Sequence, residues 1–178
     1  MLSPFETSMF FPLFVLLAAL AMWFAFGRPG FLRDFAKLLD QPEFVDSFGN
    51  RLVQCWFLKG EFRGRKVVIL LQRSKTVKMV VVSMETRAAI TMEPADFTGY
   101  RADREGELAL FALEVKHDLR LQHADGCLKV MWQPSNVFSR FAFPPPLDAP
   151  KWRSVLEAMS TLSGSLERWT ANHSRRGA

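Results

Sequence analysis

Cysteine is scarce in this 178-residue chain, which contains only Cys55 and Cys127. Two thiols cannot build a disulfide-rich scaffold or a cysteine-only tetrahedral zinc site within one chain. The sequence also lacks a nucleophile elbow, a glycine-rich phosphate loop, a dinucleotide fingerprint and a paired-histidine zinc motif. We therefore expect a non-catalytic protein with no catalytic residue, no cofactor and no resident metal.

The chain also lacks a large excess of charge of one sign. The chain has 23 basic and 18 acidic residues, a net charge of +5, and 49% of its residues are hydrophobic. This composition predicts a chain that folds. Nucleic-acid binders present aromatic side chains on a basic platform, whereas the aromatic residues here fall mostly in apolar runs. The sequence therefore predicts no nucleic-acid partner.

Charged residues are absent from Thr7 to Gly27. About 20 apolar residues in a helix cross a hydrocarbon core of about 30 Å, so we predict a transmembrane anchor over residues 1–27. The alternative is a cleaved signal peptide, but the N-terminus lacks the basic residues that such a peptide needs. The residues expected to pack against other helices or to lie at the membrane interface are Ala18, Ala21, Ala25 and Trp23.

The sidedness of this anchor follows from the cations beside it. No lysine or arginine precedes the segment, whereas Arg28, Arg33 and Lys37 follow it. Basic residues favour the cytoplasmic side, so we expect a single-pass protein of the inner (cell) membrane with its N-terminus outside and a cytoplasmic soluble domain. Free thiols would suit that reducing compartment.

A short amphipathic helix is predicted next, over Phe31–Asp40 within a juxtamembrane segment 28–41. Phe31 and Phe35 lie on its apolar side. This side would either rest in the lipid headgroup layer or pack on the sheet of the following domain. In either case, both phenylalanines are candidates for membrane or partner packing.

Residues 42–178 have the pattern of one soluble domain. Extended runs at 51–62, 67–71 and 77–82, separated by turns, predict an antiparallel meander that a strand at 88–92 would extend. The ambiguous segment 107–115 favours a strand. Alternating residues on both sides of Asp125-Gly126 predict a hairpin over 118–133.

A long C-terminal helix is indicated by an apolar stripe from Trp152 to Trp169, preceded by Asp148 as an N-cap. The stripe would bury against the chain's own sheet or against a helix of another subunit. The predicted fold class is α+β: an N-terminal single transmembrane helix, then one soluble domain with a mostly antiparallel sheet of five to seven strands and a long C-terminal helix.

Five possible metal ligands occur within eleven residues, namely His117, Asp118, His123, Asp125 and Cys127. A metal site needs converging donors with supporting hydrogen bonds, which one hairpin rarely supplies. We interpret them as ordinary strand and turn residues. Cys55 and Cys127, among apolar neighbours, are interpreted as small buried hydrophobes.

Basic residues cluster at two predicted turns. Because successive turns of a meander lie at opposite ends of the sheet, these clusters predict two separate patches rather than one. Either patch is a candidate contact for anionic lipid headgroups or an acidic protein. The first consists of Arg63, Arg65 and Lys66, and the second consists of Arg73, Lys75 and Lys78.

The functional expectation rests on the absence of catalytic motifs, on the uncharged membrane segment and on an aromatic excess. The chain has 17 phenylalanines and five tryptophans, some of which we expect at docking surfaces. The first hypothesis is a non-catalytic accessory or scaffold subunit of a larger membrane protein complex, contacting other membrane subunits and the bilayer. The alternative is a membrane-tethered sensor or binding module for anionic lipids or acidic partners.

Overall fold

The computed structural model describes residue 12 and residues 14–16, 30–49, 53–75, 77–87, 103–134 and 143–174. Its elements, in chain order, are α1 (Gly30–Ala36), β1 (Asp40–Gly49), β2 (Val53–Phe62), β3 (Arg65–Ser74), β4 (Lys78–Glu85), α2 (Arg104–Phe111) with a π-helical turn (Ala112–Lys116), β5 (Arg120–Ala124), β6 (Cys127–Trp132) and α3 (Ala149–Ser174).

The six strands form one sheet in the order β1-β2-β3-β4-β6-β5, with every neighbouring pair antiparallel. Two tight turns make the β2–β3 and β5–β6 hairpins. Their central residues have positive φ angles, 52° and 71° at Arg63-Gly64 and 56° and 68° at Asp125-Gly126. This is the backbone that two-residue hairpins require, and glycine adopts it without steric cost.

One face of the sheet carries the core. Alternate strand residues such as Leu58, Ile69 and Val82 are fully buried there, beneath side chains from all three helices. The residues between them, on the other face, are mostly half-buried or exposed. This alternation is the pattern of an antiparallel sheet packed on one side.

The short helix α1 is part of this core. The ring of Phe35 lies 5.4 Å from the ring of Trp152 in α3 and 5.8 Å from that of Phe31, which itself meets Trp152 edge-on at 5.9 Å. Of the two predicted environments, the structure therefore shows packing on the domain. The helix ends at Ala36 rather than near Asp40, because Asp40 already begins β1.

The predicted transmembrane helix is not found among the described residues, and the fold class that included it is wrong. Within the described residues, no helix is both long and apolar enough to cross a membrane. The helices α1 and α2 have seven and eight residues. Helix α3 has 26 residues but is apolar on one side only and carries charges such as Glu157 and Arg168. The segment predicted to span lies largely outside the described residues.

The α+β architecture with a six-stranded antiparallel sheet and a C-terminal helix is what the structure supports. The strand predicted over 107–115 is wrong, because those residues form α2 and its π-helical turn. The strand predicted over 88–92 lies outside the described residues. The predicted location in the inner membrane rested on that predicted helix and stays a prediction.

Candidate interaction surface

Helix α2 is fixed at its first residue by a carboxylate. Asp103 is its N-cap, with Oδ1 accepting hydrogen bonds from the Gly106 amide at 2.9 Å and from the Ser165 hydroxyl of α3 at 2.7 Å, while Arg168 Nε donates to Oδ2 at 2.9 Å. These contacts, the Ser165 hydrogen bond foremost, hold the pKa of Asp103 below its ordinary value. One side chain therefore caps α2 and ties it to α3.

The inner side of α2 packs against the domain. Ala109 and Leu113 are 6% and 0% exposed and belong to the core cluster. Gly106, one turn earlier, is also buried. These residues recur at spacings of three and four, as expected for the buried side of a helix. The orientation of α2 is therefore set by its own packing.

The outer side of α2 is apolar as well. Leu108, Phe111 and Val115 are 62%, 58% and 64% exposed, and we call these three residues the α2 stripe. Their spacing of three and four residues places them along one side of the helix. Val115 stays on that side because it lies in the π-helical turn, which has more residues per turn than an α-helix. Helix α2 is therefore apolar on two sides, of which its own domain buries one and leaves the other exposed.

Charged side chains border the α2 stripe. Arg104 and Glu107 are exposed before its centre, and Glu114 and Lys116 are exposed after it. None of the four forms an ion pair within the part of the chain that the structure describes. The surface therefore combines an apolar centre with charges of both signs, an arrangement typical of protein contact sites.

The sheet face opposite the core offers a second apolar surface within the described part of the chain. Phe57, Leu70, Val81 and Met131 lie side by side on four neighbouring strands. All four are half-buried. The α2 stripe exposes a larger fraction of each side chain and is the stronger candidate.

The nearest approach to catalytic geometry is the pair His117 and Ser154. His117 Nε2 lies 3.2 Å from Ser154 Oγ, within hydrogen-bond distance. A working dyad needs a third group that orients the imidazole, but Asp148, an acid whose charge acts on His117, instead accepts a hydrogen bond from the Lys151 amide at the start of α3. We assign the pair to packing between the π-helical turn and α3.

The surroundings of His117 predict a pH effect on stability. Burial, with Lys116 and Lys151 nearby and Asp148 opposing them, lowers the pKa of His117 below its ordinary 6.5. The unfolded chain then binds a proton first as the pH falls, so the free energy of unfolding is level above about pH 6.5 and decreases below it. We expect His117→Gln to remove the part of this decrease in the free energy of unfolding that protonation of His117 causes.

Urea denaturation of both proteins at several pH values from about 7.5 to about 5 would measure that effect. Ser154→Ala is the matched control, because it removes the hydrogen bond but keeps the titrating ring. Equal slopes for the wild type and His117→Gln would contradict the assignment.

The predicted basic patches lie at opposite ends of β3, roughly 30 Å apart at about 3.3 Å per residue. In the first, Arg63 pairs with Glu157 at 3.2 Å and Arg65 with Glu167 at 2.6 Å, so two of three cations are partly neutralised by α3, while Lys66 is exposed. In the second, Arg73 and Lys75 are exposed and Lys78 is half-buried.

The other predicted site residues divide between the core and the undescribed chain. Phe31 and Phe35 are buried in the chain's own core at 4% and 0% exposure. Ala18, Ala21, Ala25 and Trp23 lie outside the described residues.

The described residues contain no group of ligands that could hold a metal ion. His123 is buried on the core face of β5, whereas Cys127 lies half-buried on the opposite face of β6. Cys55 and Cys127 are free thiols on strands separated by β3 and β4, and burial raises the pKa of each.

Comparison of the sequence and structure with protein-family models, with curated proteins and with solved structures gives no match. The functional argument therefore rests on the geometry of this chain.

Proposed function

We propose that this chain is a non-catalytic accessory or scaffold subunit of a larger protein assembly, and that the α2 stripe is its contact surface. The observation that supports the proposal is the exposure of Leu108, Phe111 and Val115, each above one half, on a helix whose other side is already packed. Burying an apolar side chain of this size stabilises by about 1.5–3 kcal/mol. Because these side chains are already partly buried, a partner that covers the α2 stripe would gain part of that energy at each of the three.

The rigidity of the support favours binding. Helix α2 is anchored through Asp103 to two side chains of α3 and through Leu113 to the core. A surface that is already ordered loses little conformational entropy when a partner binds.

The test is purification of the tagged full-length chain from its own cells, comparing the wild type with Phe111→Ser. We expect the wild type to recover other proteins in stoichiometric amounts and the variant to recover at least about tenfold less, as for loss of a central apolar contact. The variant should unfold within about 0.5 kcal/mol of the wild type, since Phe111 is exposed.

Two results would contradict this proposal. Equal recovery by both proteins would show that the α2 stripe is not the contact surface. A loss of stability of about 2 kcal/mol or more in Phe111→Ser would show that the chain itself covers the α2 stripe.

A second candidate, binding of anionic headgroups or an acidic partner, is favoured only at the β3–β4 turn. There Arg73 and Lys75 are exposed and form no ion pair among the described residues, unlike Arg63 and Arg65 at the other end. Binding of this kind should weaken steeply with salt. Recovery of partners that survives Phe111→Ser but is lost in Arg73→Glu would favour this candidate.

A further inference from the structure

The β3–β4 turn gathers positive charge at one end of the sheet. Arg73, the next-to-last residue of β3, lies directly opposite Lys78, the first residue of β4. Lys75 follows β3 in the turn, and both Arg73 and Lys75 are exposed. Like charges on directly opposite strand positions disfavour strand pairing. An anion that contacts these side chains would offset that repulsion.

The strand positions around the turn carry no compensating acid. The described residues of β2, β3 and β4 nearest the turn, 53–55, 71–74 and 78–80, include neither aspartate nor glutamate. Asp118 precedes β5, which lies two strands away from β4, about 10 Å across the sheet. This separation exceeds the Debye length of about 8 Å in physiological salt. The strands that form the turn therefore do not neutralise its exposed cations.

The turn is closed by hydrogen bonds and exposes an apolar side chain. Ser74 Oγ accepts a hydrogen bond from the Val77 amide at 2.8 Å, and the Ser74 amide donates to the Val77 carbonyl at 2.7 Å. Val77 lies between Lys75 and Lys78 in the sequence and is 37% exposed. An apolar side chain among cations fits the headgroup layer of a membrane, where cations meet phosphates and apolar groups reach the acyl chains.

Building on the second candidate above, we propose that the β3–β4 turn binds the phosphate headgroups of an anionic membrane surface. A protein partner is disfavoured because a single turn covers far less than the roughly 800 Å² per partner of a standard interface. A bilayer presents anionic headgroups wherever the turn meets it, so no matched shape is needed. Each cation near such a surface strengthens binding about fivefold, so Arg73 and Lys75 together give about a 25-fold preference for anionic over neutral lipid.

Flotation of the full-length chain with vesicles tests the proposal. Vesicles of phosphatidylcholine alone are the reference, and vesicles that also contain about 30% phosphatidylserine are the anionic surface. We expect a preference for the anionic vesicles that decreases steeply with salt. Arg73→Gln and Lys75→Gln should each reduce this preference about fivefold. Val77→Ser should weaken binding to the anionic vesicles without changing its salt dependence, because it removes only apolar contact.

Lys66→Gln is the matched control. Lys66 is exposed near the other end of the same strand, and its replacement changes the net charge by the same amount as Lys75→Gln. Because the two ends of β3 are roughly 30 Å apart, a membrane held by the β3–β4 turn lies beyond the reach of Lys66. This variant should therefore keep the wild-type preference.

Four results would overturn the proposal. Equal binding to both kinds of vesicle would remove the anionic surface, and an equal loss in Lys66→Gln would show that only net charge matters. Release from vesicles by millimolar inorganic phosphate at constant ionic strength would indicate a site for free phosphate. Binding of polyglutamate without binding of anionic vesicles would indicate an acidic protein partner.

Phe111→Ser separates this proposal from that for the α2 stripe. It should abolish recovery of other proteins and leave the vesicle preference unchanged, whereas Arg73→Gln should do the reverse. Loss of the vesicle preference in Phe111→Ser would contradict its assignment to the β3–β4 turn. Either proposal can therefore fail while the other stands.

Discussion

Replacing Phe35 with alanine is expected to lower the free energy of unfolding by about 3–5 kcal/mol. The side chain is fully buried between Phe31 and Trp152, so truncation leaves a cavity between α1 and α3. A helix of seven residues has little stability of its own and depends on this packing. Urea denaturation of the full-length variant measures the loss.

The matched control is Phe111→Ala in the purified protein, where Phe111 is exposed. Phe111 is 58% exposed, and the same chemical change should alter the free energy of unfolding by no more than about 0.5 kcal/mol. Similar losses in both variants would show that exposure does not distinguish these two phenylalanines. A loss below about 1 kcal/mol in Phe35→Ala would contradict the packing of α1.

The amphipathic pattern around Phe35 was sufficient to predict a helix but not what buries it. Spacing alone is the same whether Phe31 and Phe35 meet lipid, another subunit or the chain itself. In the structure both rings contact Trp152, which is more than a hundred residues away in the sequence. Such a contact has no local signal.

Hairpins were predictable because their chemistry is local. Asp125-Gly126 and the glycine after Arg63 supply the positive φ angles that close β5–β6 and β2–β3. The pairing of β4 with β6, which places β5 at the edge, joins strands separated by α2 and could not be read from neighbouring residues. Strand β1 was also missed, where Pro42 and two register shifts interrupt the alternation.

The candidate site was missed for a different reason. Because α2 is apolar on both sides, Leu108, Phe111 and Val115 overlap in sequence with Ala109 and Leu113, and the combined pattern satisfies a strand period in part. A signal was present in Asp103, an N-cap residue followed by two glutamates in the first turn. Weighing that cap above the mixed periodicity would have predicted the helix.

The carboxylate of Glu167 joins α3 to the sheet, and Glu167→Ala is expected to cost about 2–3 kcal/mol. It accepts both guanidinium nitrogens of Arg65 at 2.6 and 3.0 Å and the Arg87 amide at 2.8 Å, and it lies 3.5 Å from the Thr86 hydroxyl. Arg65 and Glu167 are only 21% and 24% exposed, so solvent screens them weakly. Removing the acid leaves Arg65 half-buried without its main partner.

The chain supplies a matched control ten residues earlier on α3. Glu157 pairs with Arg63 of the same hairpin at 3.2 Å, but these side chains are 47% and 58% exposed. Exposed pairs of this kind contribute at most about 1 kcal/mol, so Glu157→Ala should have a small effect. Equal losses in the two variants would show that burial of the Arg65 pair does not strengthen it.

Lowering the pH should remove the stability that the ionised carboxylate of Glu167 contributes. The hydrogen bond from Arg65, followed by that from the Arg87 amide, holds the pKa of Glu167 below its ordinary 4.5. As the pH falls, the unfolded chain binds the proton first, so this stability is complete above about pH 5 and is lost through the lowered pKa. The pKa of Asp103 is also lowered, but Asp103 is present in both proteins, so its effect on the free energy of unfolding cancels when the two are compared. The difference in the free energy of unfolding between the wild type and Glu167→Gln should therefore narrow from pH 7 to about pH 3. A difference that stays constant over this range would show that the charge of Glu167 does not hold α3 on the sheet.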